Sequence, residues 1–156
     1  MIRWTISSAV LALALTACSS GPVRRVSEPT ASIQQLTVRA DGRWDVELRL
    51  QNYSSIPMQF DTTALELTFD NGPAARLDMK PAMEVGPESA DVHSATIEPL
   101  PAGRARIASA LADGRGLTYT LSGTLSATPQ DKKQRSWEIK RESALSPVPG
   151  IPGALR

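Results

Sequence analysis

The sequence predicts an all-β sandwich of about seven strands, and two kinds of observation predict it. Apolar and polar residues alternate with period two in several runs, which sends alternate side chains to opposite faces of a sheet. Turn signals fall between those runs: Asp41-Gly42, Ser54 to Pro57, Asn71-Gly72, Pro99 to Gly103, Asp113 to Gly116 and Pro129 to Lys133. Many short strands separated by frequent breaks are the sequence form of two packed antiparallel sheets.

The runs follow in chain order. Ile33, Leu36 and Val38 suggest a first strand with a slip of phase that a bulge would absorb. Trp44, Val46, Leu48 and Leu50 alternate with Asp45, Glu47, Arg49 and Gln51, so four apolar side chains share one face. Leu65, Leu67 and Phe69 repeat the pattern, and Asn71-Gly72 follows at once. That dipeptide tolerates the positive φ of a type I′ hairpin, so residues 74–80 are expected to return as the paired strand. Residues 81–98 contain a loop through Pro81, Gly86 and Pro87, and then a strand over Ala90 to Ile97. Ala105, Ile107 and Ser109 suggest another inward face, with a short helix at 107–112 as the competing reading. Leu117, Tyr119, Leu121 and Leu125 share a phase, and Trp137 and Ile139 mark the last strand. The tail 146–156 holds three prolines and two glycines and is expected to be extended or disordered.

The N-terminal segment carries the clearest address. Arg3 gives a positive start, and Ile6 to Ala17 is an apolar run of about a dozen residues, too short to cross roughly 30 Å of hydrocarbon. It has the length of an export signal. Leu15-Thr16-Ala17-Cys18 resembles the bacterial lipobox, so residues 1–17 are expected to be a removed signal peptide, with cleavage between Ala17 and Cys18 and lipidation of Cys18. Cys18 is the only cysteine, so no intrachain disulfide competes for it. Residues 18–30 then read as the lipidated cysteine and a flexible tether, 31–145 as the sandwich domain. The expected partner is membrane lipid, held through acylated Cys18. The expected location is the bacterial cell envelope; by lipoprotein sorting, Ser19 after the cysteine favours the outer membrane, facing the periplasm.

Composition narrows the role. The 156 residues carry 17 basic and 16 acidic side chains, and aromatics are 4%. That balance shows no basic or acidic excess that would point to nucleic acid or to an anionic surface. No cofactor is implied. His93 is the only histidine, which is too few for a zinc site of the usual kind. Asp91 and His93 share a strand face, but no Gly-x-Ser-x-Gly elbow accompanies them, so a surface histidine is the simpler reading. Glu84, Glu88, Asp91 and Glu98 lack the spacing of a calcium loop. Lys132, Lys133 and Arg135, with Lys140 and Arg141, form the main basic patch, for which a solvated turn is the simpler reading and a contact for lipid phosphates or an acidic partner the alternative. Asn52-Tyr53-Ser54 fits a glycosylation sequon, which a bacterial lipobox makes irrelevant. No catalytic or metal residue is assigned.

Several segments resemble one family. Leu48-Arg49-Leu50-Gln51-Asn52, Ile56-Pro57 and Leu65 to Gly72 resemble the late embryogenesis abundant type-2, or water-stress and hypersensitive-response, domain. Ile97 to Gly103 and Leu117 to Leu125 resemble two later segments of the same family, so the resemblance spans residues 31–145. Asn52-Tyr53-Ser54 departs from the family's Asn-Pro-Asn corner, and 81–98 is longer and more polar. The resemblance implies an immunoglobulin- or fibronectin-III-like sandwich without enzyme activity. It implies a stress-protective (desiccation or osmotic) or binding role. The alternative is a scaffold or assembly subunit of an envelope complex, with an envelope protein as partner.

Overall fold

A computed structural model describes Gly21 and residues 23–156. Its nine strands and one helix are β1 (Thr30–Val38), β2 (Trp44–Gln51), β3 (Met58–Phe69), β4 (Gly72–Met79), β5 (Met83–Val85), β6 (Ala90–Ile97), α1 (Pro101–Asp113), β7 (Leu117–Pro129), β8 (Arg135–Leu145) and β9 (Ala154–Leu155). They form two antiparallel sheets packed as a sandwich. One has the order β6-β2-β1-β9; the other has the order β4-β3-β7-β8, with β5 extending the β4 side of β3.

The alternating runs fill the space between the sheets. Leu36, Trp44, Val46, Leu48 and Leu50 meet Leu65, Leu67, Phe69, Leu77, Tyr119, Leu121 and Leu125, all at most 1% exposed. Burying each such side chain is worth about 1.5–3 kcal/mol. Trp44 and Phe69 bridge the sheets at one end, with ring centroids 6.0 Å apart. The phase slip in β1 is a register shift between Ile33 and Gln35. Beside it the Ile33 amide donates to Tyr119 Oη across the interior, at 3.1 Å. Every buried side-chain N and O among the described residues has a partner.

Four expectations need correction. The β3–β4 turn lies one residue earlier than Asn71-Gly72: Asp70 and Asn71 take φ of 46° and 66°, and Phe69 already pairs with Gly72. Asp and Asn both tolerate that region, so the pair serves as the two-residue loop and Gly72 opens β4. The inward face read at Ala105, Ile107 and Ser109 is instead a helix longer than 107–112. Pro101 suits its first turn, Gly114 ends it in the left-handed region, and Gly103, Ile107 and Ala110 form its buried face at helical spacing. The tail is not loose: Val38 N donates to Gly153 O, Leu36 pairs with Leu155, and Ala154 and Leu155 are fully buried. The described residues form nine strands rather than about seven because Met83–Val85 adds β5 and the tail adds β9, while the strand expected over Ala90 to Ile97 is β6.

Candidate functional site

The strands run between two poles, and the two poles differ in chemistry. At one, the chain enters β1 beside the β2–β3 corner, the 86–89 loop and the β7–β8 turn. At the other lie the β1–β2 hairpin, the β3–β4 turn, α1 and the returning tail.

The helix pole carries an apolar cleft of about 360 Å³, lined by Val38, Gly42, Trp44, Arg104, Ile107, Ala108 and Leu111. The volume lies in the range of small-ligand pockets. The cleft exists because α1 sits close to β4 and bridges the open end of the sandwich. A Cβ on Gly103 would stand 2.5 Å from Ala74 O, so only glycine allows this approach. Helical spacing then sends Arg104, Ile107, Ala108 and Leu111 toward the hairpin. Arg104 is the polar group in the lining, and its guanidinium is paired with Glu98. Leu111 and residues of the 147–154 segment line a second, more open hollow of about 370 Å³, where Ile151 is 52% exposed. Beside the cleft, hydrogen bonds from the Arg43 side chain and amide hold the Asp41 carboxyl down to about 2. The Thr96 hydroxyl lowers Asp45, ahead of Arg39. These fixed charges rim the hairpin with ion pairs and leave the cleft itself apolar.

The other pole is organised by Asn52, which is fully buried. Its Nδ2 donates toward Ile56 O (2.9 Å), Val85 O (3.1 Å) and Gly86 O (2.9 Å), and its Oδ1 accepts from Ser54 N at 2.8 Å. One side chain thereby ties β2 to the approach to β3 and to the loop after β5. Burial also removes Asn52 from any sequon chemistry in the folded chain. The described part of the expected tether is strapped to this corner. Ser27 N donates to Ser54 Oγ, Arg25 N to Ser55 Oγ, and Ser55 N to Arg25 O. Arg25 reaches Tyr53 O and Glu88, while Arg24 reaches Gln130 O and Asp131.

The residues singled out from sequence are dispersed by this architecture. Ala17 and Cys18 lie outside the described residues. His93 stands on edge strand β6 opposite Leu48, half-buried, and no hydrogen bond or ion pair joins it to an acid among the described residues. Asp91 shares its side of β6, opposite Leu50. Glu88 binds Arg25 at one pole and Glu98 binds Arg104 at the other, so the 81–98 carboxylates do not converge. The basic residues separate too. Lys132 and Lys133 sit in the β7–β8 turn, and Arg135 lies over the Trp137 ring at 5.5 Å. Lys140 and Arg141, being consecutive on β8, take opposite faces of that edge strand, where charge discourages pairing with another chain. Among the described residues no group of three or more His, Cys, Asp or Glu could hold a metal, and no helix is long and apolar enough to cross a membrane.

Sequence reasoning missed the cleft. Its signal was present in Gly103, Ile107, Ala110 and Leu111, a helical rather than an alternating pattern, and was hidden by the parallel reading of Ala105, Ile107 and Ser109 as a strand.

No protein-family model matches the sequence, and no curated protein does. Solved structures resemble its fold distantly. A protein from Archaeoglobus fulgidus is 14% identical, covers 80% of this chain and 98% of its own, and has a TM-score of 0.42. Structural-genomics target SoR45 is 10% identical over 81% of this chain and 92% of its own, with a TM-score of 0.48. A Bordetella pertussis protein given the name ApaA is 15% identical over 83% of this chain and 100% of its own, with a TM-score of 0.47. Likenesses of this degree carry neither a family nor a function to this two-sheet antiparallel sandwich.

Proposed function

We propose that the chain is a lipid-anchored protein of the bacterial envelope whose sandwich is a non-catalytic binding module. The address rests on Leu15-Thr16-Ala17-Cys18 after a short apolar run. The observation that carries the binding role is the apolar cleft under α1, at the pole opposite the strapped tether. A module held by one pole presents the other to the periplasm, where an envelope protein or an apolar ligand meets it. A half-open apolar recess favours this over a purely protective role in drying or osmotic shock, which asks for polar surface rather than a pocket.

Two measurements test the proposal. Metabolic palmitate is expected to label the wild type, and Cys18→Ala is expected to lose both the label and the membrane fraction. A wild type without fatty acid sinks the anchor. Ala108 is exposed and lines the cleft, so Ala108→Asp leaves the core intact while setting an unpaired charge where an apolar contact is expected. Recovery of a partner after mild detergent extraction is expected to fall at least about tenfold, which corresponds to about 1.4 kcal/mol. Undiminished recovery removes the cleft from the binding surface.

A further inference from the structure

The pole that holds the tether carries its own surface chemistry, and it differs from that of a passive attachment point. Among the described residues, two of the four large exposed apolar side chains lie here: Val23, 82% exposed, and Tyr53, 46% exposed. Tyr53 is amphipathic in the way that suits the boundary between hydrocarbon and water. Next to them, the β7–β8 turn presents Lys132 and Lys133, both exposed. Three of the acids at this pole are engaged, while Glu28 and Glu84 form no ion pair among the described residues. Asp131 is paired with Arg24 at 2.9 Å, Glu88 with Arg25 at 3.2 Å, and Asp61 accepts from Thr128 and Gln134. Neither lysine forms an ion pair among the described residues, so their charge is left for something outside the domain.

The strap sets what that something is. Hydrogen bonds hold residues 23–27 against the β2–β3 corner. Arg24 pins the chain to the turn that bears the two lysines. Val23 is therefore fixed at this pole, where its carbonyl accepts from Ser55 Oγ. Five residue steps separate it from Cys18, a reach of at most about 18 Å. β7 alone, at 13 residues, is about 40 Å long. A link less than half the length of the sandwich keeps this pole, and not the cleft pole, next to the surface that holds the lipid.

We infer that the face formed by Val23, Tyr53, Lys132 and Lys133 docks on the anionic phospholipid headgroups of the membrane to which Cys18 is attached. This rests on the anchored reading above. Lysines within a Debye length of anionic lipid are attracted to it, and an aromatic with a polar tip settles at the headgroup level. The domain then stands on the bilayer in one orientation, with the cleft under α1 held at a fixed height above it.

The experiment uses the full lipidated protein in vesicles of phosphatidylethanolamine and phosphatidylglycerol that carry a headgroup quencher. Cys18 has no free thiol once acylated, so a fluorophore is placed singly through Tyr53→Cys, Lys133→Cys or, at the far pole, Ile151→Cys. Quenching at 53 and 133 is expected to exceed that at 151 several-fold. The contrast is expected to shrink in phosphatidylcholine vesicles, and again for a probe at 53 when Lys132→Glu and Lys133→Glu are combined. Equal quenching at all three positions on a protein that floats with the vesicles overturns the docked face while leaving the anchor standing. A contrast that ignores both lipid charge and the lysine reversals overturns the role of anionic headgroups. A protein that does not float at all takes down the anchored reading, and this inference with it.

Discussion

Asn52→Asp is expected to destabilise the domain by about 3–5 kcal/mol at pH 7, the cost of an uncompensated buried charge. The substitution changes almost no volume. It replaces an amide nitrogen that faces three carbonyl oxygens, those of Ile56, Val85 and Gly86, with a carboxylate oxygen facing the same three. Acceptor then confronts acceptor in a site with no solvent access. The pH dependence follows from the same contact. Burial and the carbonyls favour the protonated acid, so the folded pKa of the new aspartate lies above its unfolded value of about 3.9. Such a group costs least below the unfolded value, and the loss grows as pH rises through the folded one. Urea denaturation near pH 4 and at pH 7 is expected to show a variant much closer to wild type in acid. A difference from wild type below about 1 kcal/mol at pH 7 would mean that the corner relaxes around the charge. The tether would register the damage as well, because Ser54, which accepts from Ser27 N, is itself held by Asn52.

The second large effect concerns the middle of the other sheet. Gly123 lies in β7 between Leu65 of β3 and Ile139 of β8, with φ of +140°. L-residues rarely adopt that backbone, and a Cβ there would stand 2.2 Å from Ala64 O and 3.0 Å from Leu65 Cα. The obstacle is backbone in a paired strand, which has no rotamer to swing aside. Gly123→Ala is therefore expected to combine backbone strain with overpacking and to cost about 3–5 kcal/mol. For a domain of this size, that lowers Tm by roughly 10–20 °C. Ser122→Ala, one residue away, is expected to stay within about 0.5 kcal/mol of wild type. Equal melting of the two variants would show that β7 shifts its register to admit a methyl group.

Both sites bear on how far the chain could be read before folding. The alternation of Trp44 to Leu50 and of Leu117 to Leu125 marked strands whose apolar faces are the ones buried. Gly123 stands as a gap in that phase. Nothing in the sequence signals that the Ala64 carbonyl stands against it, because that contact depends on which strand becomes the neighbour. In the sequence Asn52 belongs to a corner and to a sequon. Its role as a buried hub joins residues up to 34 positions apart, a distance that no local pattern spans.

The cleft follows the same division. Residues 101–113 hold five alanines, and short apolar side chains fit a strand face as well as a helix face. Ala105, Ile107 and Ser109 satisfied period two while Gly103, Ile107 and Ala110 satisfied the helical period. Packing of Gly103 against Ala74 decides for the helix. The Pro/Gly tail misled for a related reason. Its composition favours an open chain, yet Ala154 and Leu155 find an unpaired edge on β1.

The sequence by itself determined the strand faces and most turn positions, and it carries the segment that resembles a lipobox. Each of these is a property of residues close together along the chain, where side-chain period, turn chemistry and a contiguous motif act locally. Tertiary structure alone decided that α1 closes one pole over an apolar cleft and that residues 23–27 are strapped to the other. It also decided that the basic residues of β8 and its turn part company. Those outcomes come from contacts across tens to more than a hundred residues, as between Arg24 and Asp131, and their energy exists only once the two sheets have come together.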